Sequence, residues 1–221
     1  MRALTIGARS KPIEQVLVLG AHSDDIEIGA GGTIRQLLAS VPDVAVHWVV
    51  FAASRQRKSE AEASAAAILG ASRSRKIETH DFRDGFFPYE GAKIKEVFEA
   101  LKPVVKPDVV FTHHRDDLHQ DHRTISELTW NTFRDNMILE YEVPKYDGGL
   151  SSPNFFVPLR PDIVDKKISE LLEHFGSQRS KTWFNGEVFR GLMALRGVEC
   201  RSPTGYAEAF YCRKAVWSLD I

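Results

Sequence analysis

Cysteine is nearly absent from this chain: two thiols, Cys200 and Cys212, in 221 residues. Neither sits in a C-x-x-C pair or at a Cys/His ligand spacing, which excludes a disulfide framework and a thiolate-bound structural zinc as organising devices. Charge of one sign is also lacking, with 29 basic against 30 acidic side chains and a net charge of −1. No broad field therefore draws the protein to nucleic acid or to an anionic membrane surface. Apolar runs stop far short of the ~20 residues a membrane span needs, and the opening MRALTIGARSKPIEQ has no apolar stretch of the kind found in a secretory leader. These absences predict a cytoplasmic protein with no membrane span and no nucleic-acid partner, whose specificity resides in one local site. A hydrophobic share of 43% over this length is enough to build one core, so a single domain over residues 1–221 is expected.

What the sequence does contain is alternation. Val16-Leu17-Val18-Leu19 is a short apolar run closed by Gly20-Ala21, the pattern of a strand buried on both faces. After a polar loop, Thr33 to Leu38 has helical spacing and stops before Pro42, and Val44 to Phe51 reads as a second strand. Residues 58–69 predict a helix ending at Gly70, Lys76 to Thr79 a third strand, Ile94, Val97, Phe98 and Leu101 a helical face, and Asp108 to Thr112 a fourth strand. Met137 to Tyr141, Phe155 to Leu159 and Tyr206 to Tyr211 are candidate further strands, Ile163 to Phe175 a helix, and Pro144 to Pro161 a long functional loop. Strands alternating with helices predict an α/β, Rossmann-like fold, its mostly parallel sheet covered by helices on both faces. Ligands bind such sheets beyond the carboxyl ends of the strands.

Two clusters fall at that edge. The first strand runs into His22-Ser23-Asp24-Asp25, and the fourth into Asp117-Leu118-His119-Gln120-Asp121-His122-Arg123. Packing alone does not call for several imidazoles and carboxylates on one rim. The turn Gly29-Ala30-Gly31-Gly32 lacks the G-x-G-x-x-G spacing of a dinucleotide site, and paired aspartates beside it would repel a pyrophosphate. A divalent cation suits the same residues, because it offsets the repulsion of the carboxylates and holds imidazoles neutral. His113 and His114 lie near the same rim, Tyr206 and Glu208 are further candidates for the pocket, and Gly176 to Lys181 reads either as an anion-binding loop or as a linker.

Ala21-His22-Ser23-Asp24-Asp25 resembles the AHPDD motif, and residues 117–123 the DxHPDHR motif, of the LmbE-like (PIG-L) zinc N-deacetylases. The resemblance extends through Arg57, Glu60, Leu69-Gly70 and Asp84-Gly85, covering most of residues 16–136. It implies a zinc-dependent hydrolase that removes an acetyl group from an N-acetylglucosamine-type sugar. By position it implies that His22, Asp25 and His122 hold Zn2+, that Asp24 is the general base, and that His119 and Asp121 stabilise the oxyanion and handle protons, with Asp121 orienting His119. Arg57 and Asp84 would contact substrate. Ser23 and Gln120 stand where the family usually has proline, and Ile26 where glutamate often follows the aspartates; no ligand is lost by these departures.

Three rivals stand beside this expectation: amide hydrolysis of another small acylated metabolite, a metal phosphoesterase, and a sugar-binding module with a purely structural metal. A phosphoesterase would want a second metal or more cationic contacts. A structural zinc would want a fourth protein ligand, usually a thiolate, which the clusters do not offer.

Overall fold

The computed structural model describes residues 12–70, 72 and 74–216; most of the opening segment read above lies outside them. Fourteen elements follow in order: β1 (Gln15–His22), α1 (Asp25–Ser40), β2 (Ala45–Ala52), α2 (Gln56–Leu69), β3 (Arg75–Thr79), α3 (Phe87–Leu101), β4 (Val109–His113), α4 (Gln120–Thr132), β5 (Met137–Tyr141), β6 (Phe155–Pro158), α5 (Pro161–His174), a 3-10 turn at Gly176–Gln178, α6 (Gly186–Cys200) and β7 (Ala207–Tyr211). They build one seven-stranded sheet in the order β3-β2-β1-β4-β5-β7-β6. The five strands from β3 to β5 pair in parallel, and β7 and β6 close the sheet antiparallel. The expected Rossmann-like α/β arrangement is present.

Side-chain alternation explains the layering. Along β1, Val16 and Val18 face the core shared with α1, α2, α5 and α6, whereas Leu17 and Leu19 face the core shared with α3 and α4. Burying an aliphatic side chain of this size contributes about 1.5–3 kcal/mol, so a one-residue slip of β1 would exchange its two faces and is strongly opposed. The strand order reverses between β1 and β4, whose carboxyl ends flank the crevice where ligands enter open α/β sheets.

The chain departs from the sequence expectations in three places. Helix α1 begins at Asp25 and takes in Gly29, Gly31 and Gly32, where a loop was expected up to Thr33. Each helical glycine costs about 1 kcal/mol relative to alanine, yet a Cβ at Gly29 would collide with the Tyr141 ring and one at Gly32 with Leu159 and Glu208. The glycines let α1 lie close on the sheet. Glu208 is not in the crevice: it accepts from the Gly32 and Thr33 amides and pairs with buried Lys167 at 2.6 Å. Helices α4 and α6 had no counterpart in the strand and helix pattern read from the sequence.

Candidate metal centre and active site

Strand β1 ends at His22, and the chain turns at once into α1. The turn is closed by Asp25 Oδ2, which accepts the His22 amide at 2.6 Å. Strand β4 ends at His113, and the following loop leads to His119, whose Nδ1 accepts the Asp121 amide at 3.3 Å as the cap of α4. Both turns open on the same side of the sheet, and the residues nearly a hundred positions apart meet. Nδ1 of His22 lies 3.2 Å from Nε2 of His122 and 3.2 Å from Oδ2 of Asp25, which is 3.4 Å from Nε2 of His122.

The far nitrogen of each imidazole faces a carboxylate. Nε2 of His22 is 3.2 Å from Oδ2 of Asp121 and 3.1 Å from Oδ1 of Asp84, and Nδ1 of His122 is 3.0 Å from Oδ2 of Asp117. With the outer nitrogens donating to these carboxylates, the inner nitrogens present lone pairs toward one another and toward Asp25. Lone pairs 3.2 Å apart repel unless a positive charge lies between them, and carboxylate-backed histidines are a common way to orient metal ligands. The donor set therefore fits a divalent cation. Other donor groupings in the same cluster add His119 or His113.

Electrostatics follow from burial and neighbours. Burial alone would lower the His22 and His122 values, but the Asp25 charge and the carboxylate hydrogen bonds outweigh it and raise both. Burial would raise Asp25, yet the surrounding imidazoles hold it well below the usual carboxylate range. Asp84 is held down to about 2, chiefly by the hydrogen bond from His22. Asp24 moves the other way: burial raises it, the Arg57 charge opposes this, and the Asp25 charge adds to the rise. Nη2 of Arg57 donates to Oδ1 of Asp24 at 2.8 Å, leaving Oδ2 buried without a partner among the described residues.

The sequence-derived residues divide into groups. His22, Asp24, Asp25, Arg57, Asp84, His119 and His122 all line one cleft of about 180 Å³. Asp121 does not; it is fully buried behind His22, accepting from the Gly85 and Phe87 amides at 2.6 and 3.1 Å. Its expected side-chain bond to His119 is replaced by one to His22. Arg57 likewise spends its guanidinium on Asp24 and, at 3.4 Å, on Asp84. His113 is buried beneath the centre, stacked on His122 with ring centroids 3.9 Å apart and 3.2 Å from Asp25; burial and the His122 charge lower it to about 3. His114 faces away, stacked on Tyr211.

Sequence reasoning missed the opposite wall of the cleft. Lys145, Tyr146, Gln178, Lys181 and Trp183 line it, and a hydrogen bond of 2.9 Å between the Tyr146 and Thr182 hydroxyls ties its two loops together. Only the expectations of a functional loop from Pro144 onward and of an anion-binding loop or linker at Gly176 to Lys181 touched this wall.

Fold and donor cluster define a metal centre on a Rossmann-like sheet, and the family match gives its class, a metal-assisted hydrolase. The chain belongs to the PIG-L family, described as GlcNAc-PI de-N-acetylase, which it matches over residues 17–133. It is 26% identical over 211 residues to the diacetylchitobiose deacetylase of Thermococcus kodakarensis, covering 83% of this chain and 77% of that protein. It is also 26% identical over 175 residues to the uncharacterized deacetylase YaiS of Escherichia coli, covering 72% and 89%. The fold resembles that of GalB, the 4-carboxy-2-hydroxymuconate hydratase of Pseudomonas putida, with a TM-score of 0.72, 18% identity and coverage of 95% of this chain and 100% of that one.

Proposed function

We propose that this protein is a zinc-dependent hydrolase that removes the N-acetyl group from an N-acetylated amino sugar or from its nucleotide- or lipid-linked derivative. The observation that carries the reading is the approach of Nδ1 of His22, Oδ2 of Asp25 and Nε2 of His122 to within 3.4 Å of one another beside buried Asp24 and an open cleft. Two neutral imidazoles and one carboxylate, with a position left for water or substrate, make the donor set of a catalytic zinc. The similarity to a diacetylchitobiose deacetylase supports an amino-sugar substrate. A single sheet built from both halves of the chain supports one domain over residues 1–221. The free thiols Cys200 and Cys212 support a cytoplasmic enzyme, and no helix among the described residues is long and apolar enough to cross a membrane.

When bound, the cation supplies Lewis acidity toward the acetamide carbonyl and a lower pKa for the attacking water. Asp24 takes the water's proton at Oδ2 while Arg57 fixes its other oxygen. Burial makes this carboxylate a stronger base than an exposed aspartate. His119 is placed to donate: its Nδ1 accepts the Asp121 amide, so its proton sits on Nε2. Burial lowers its pKa and favours the neutral ring, a fixed donor for the oxyanion that develops on the carbonyl oxygen. The proton held by Asp24 then passes to the departing amine nitrogen. Asp121 acts on His22, as a positioning residue.

The test is acetate release by zinc-loaded protein from free, nucleotide-linked and lipid-linked N-acetyl amino sugars. Stoichiometric acetate and free amine are expected from at least one of them. Release only from acylated compounds without a sugar would move the reading to the general amide hydrolase, and release from none would remove it.

A further inference from the structure

The cleft extends to a wall that the proposed chemistry does not use. Gln178 lines it at 4% exposure, and its amide is held at one end only, Nε2 donating to Ser177 Oγ at 2.9 Å. The Ser177 hydroxyl has a single proton and gives it to Oε2 of Glu60 at 2.6 Å. Ser177 Oγ can therefore only accept from Gln178, which fixes which end of that amide is nitrogen. The other end, Oε1, is a buried acceptor with no donor among the described residues, a condition native interiors rarely leave unmet. The oxygen is also held in place. Oε1 of Glu60 accepts the Ser177 amide at 2.9 Å and Nε2 of Gln56 at 3.0 Å, pinning the loop to α2.

Lys145 lines the same cleft with its side chain 8% exposed. Its ammonium gives one proton to Oδ2 of Asp117 at 2.7 Å and one to the Val143 carbonyl at 2.9 Å, so one of its three donors remains. Trp183 adds an aromatic face. An acceptor lacking a donor, a cation with a donor to spare and an indole face suit a ring with hydroxyls on its edge and C–H groups on its face.

We infer that Gln178 and Lys145 form a hydroxyl-reading subsite, in which Oε1 of Gln178 accepts from a ring hydroxyl of a saccharide and Lys145 donates to an oxygen of the same molecule. The inference rests on the amino-sugar reading and narrows it to substrates with intact ring hydroxyls over simple alkyl acetamides.

The test compares zinc-loaded wild type with Gln178→Met, a near-isosteric change that removes the acceptor. KM and kcat are measured on N-acetylglucosamine, its monodeoxy derivatives and N-cyclohexylacetamide, and calorimetry follows sugar binding independently of turnover. In wild type, removal of one particular hydroxyl should raise KM about tenfold or more with little change in kcat, and Gln178→Met should lose that discrimination while handling N-cyclohexylacetamide as wild type does. Should Gln178→Met not fold, Gln178→Asn, which withdraws the amide by one methylene, should lose the same discrimination. Wild-type discrimination retained by the folded variant overturns the subsite. Wild type that hydrolyses N-cyclohexylacetamide as well as the sugar, and treats all deoxy sugars alike, overturns the subsite and leaves amide hydrolysis standing. Sugar binding that depends on Gln178, with no acetate released from any compound, supports the subsite and overturns the hydrolase reading. No sugar binding and no turnover overturns both.

Discussion

The two walls of the cleft are wired differently. On the β1 and β4 side, polar groups answer one another with Oδ2 of Asp24, the proposed base, as an exception: Asp121 and Asp84 take His22, Asp117 takes His122, and Arg57 takes Oδ1 of Asp24. On the side formed by residues 143–147 and 178–183, Gln178 keeps an oxygen without a donor and Lys145 a donor without an acceptor among the described residues. Such a web holds reacting groups in one geometry, which catalysis needs. Unmet hydrogen-bonding capacity is what a surface needs to distinguish one ligand from another. The contrast assigns chemistry to the first wall and choice of substrate to the second.

The contrast is broken most easily at Asp24. Asp24→Asn should lower kcat by about 10²–10⁴-fold with KM nearly unchanged, by loss of general-base catalysis, in single-turnover or steady-state acetate release. A change in KM alone would put Asp24 with the recognition wall. Next in size is Asp121→Asn, which weakens the carboxylate behind His22 and should lower zinc affinity about 10–100-fold; competition with a chromogenic chelator measures it. Unaltered affinity would return Asp121 to the role first expected, as the partner of His119.

Arg57→Met sharpens the picture through pH. The Arg57 charge opposes the burial that raises Asp24, so removing it destabilises the carboxylate and raises its pKa further. The acidic limb of the kcat/KM profile should move to higher pH in Arg57→Met and return toward the wild-type position in Arg57→Lys. A shift to lower pH would contradict the pairing.

The smallest effect lies outside the cleft, on stability. Burial of Glu140 would raise its pKa, but hydrogen bonds from His114, Arg213, the Arg115 amide and Trp130 overcome this and lower it. The folded state then holds that proton less tightly than the unfolded chain. Its contribution is fully present above the unfolded value of about 4.3, and is lost as pH falls through the depressed folded value. Glu140→Gln should flatten the acid limb of a urea-midpoint titration and leave activity unchanged.

How much was legible in the sequence follows the same division. Strands β1, β4 and β5 show through short apolar runs, Val16 to Leu19, Val109 to Phe111 and Met137 to Leu139, which pack into the two cores of the sheet, and the two His/Asp clusters show because each sits within a few residues of a strand end. The start of α1 did not show, since Gly29, Gly31 and Gly32 lower helix propensity and only the approach of Tyr141 and Leu159 explains them. The pairing of Asp121 with His119 was what the family resemblance implied; residues two apart at a helix start do not face each other, and in the first turn of α4 the Asp121 side chain points back to His22 and the 84–87 loop. Lys145 and Gln178 fell within loops singled out in the sequence, at Pro144 to Pro161 and Gly176 to Lys181, but nothing marked either residue itself. Each is one polar residue in a loop, and its meaning comes from Glu60, Ser177 and Asp117, brought to it by the fold.

The central claim is that His22, Asp25 and His122 hold one divalent ion together. Zinc per chain, measured by mass spectrometry after dialysis against a weak chelator, tests it most directly. One zinc is expected in wild type and in Asp24→Asn, and close to none in His22→Ala, Asp25→Ala and His122→Ala. Full occupancy in those three variants, or none in the wild-type protein, would contradict the account.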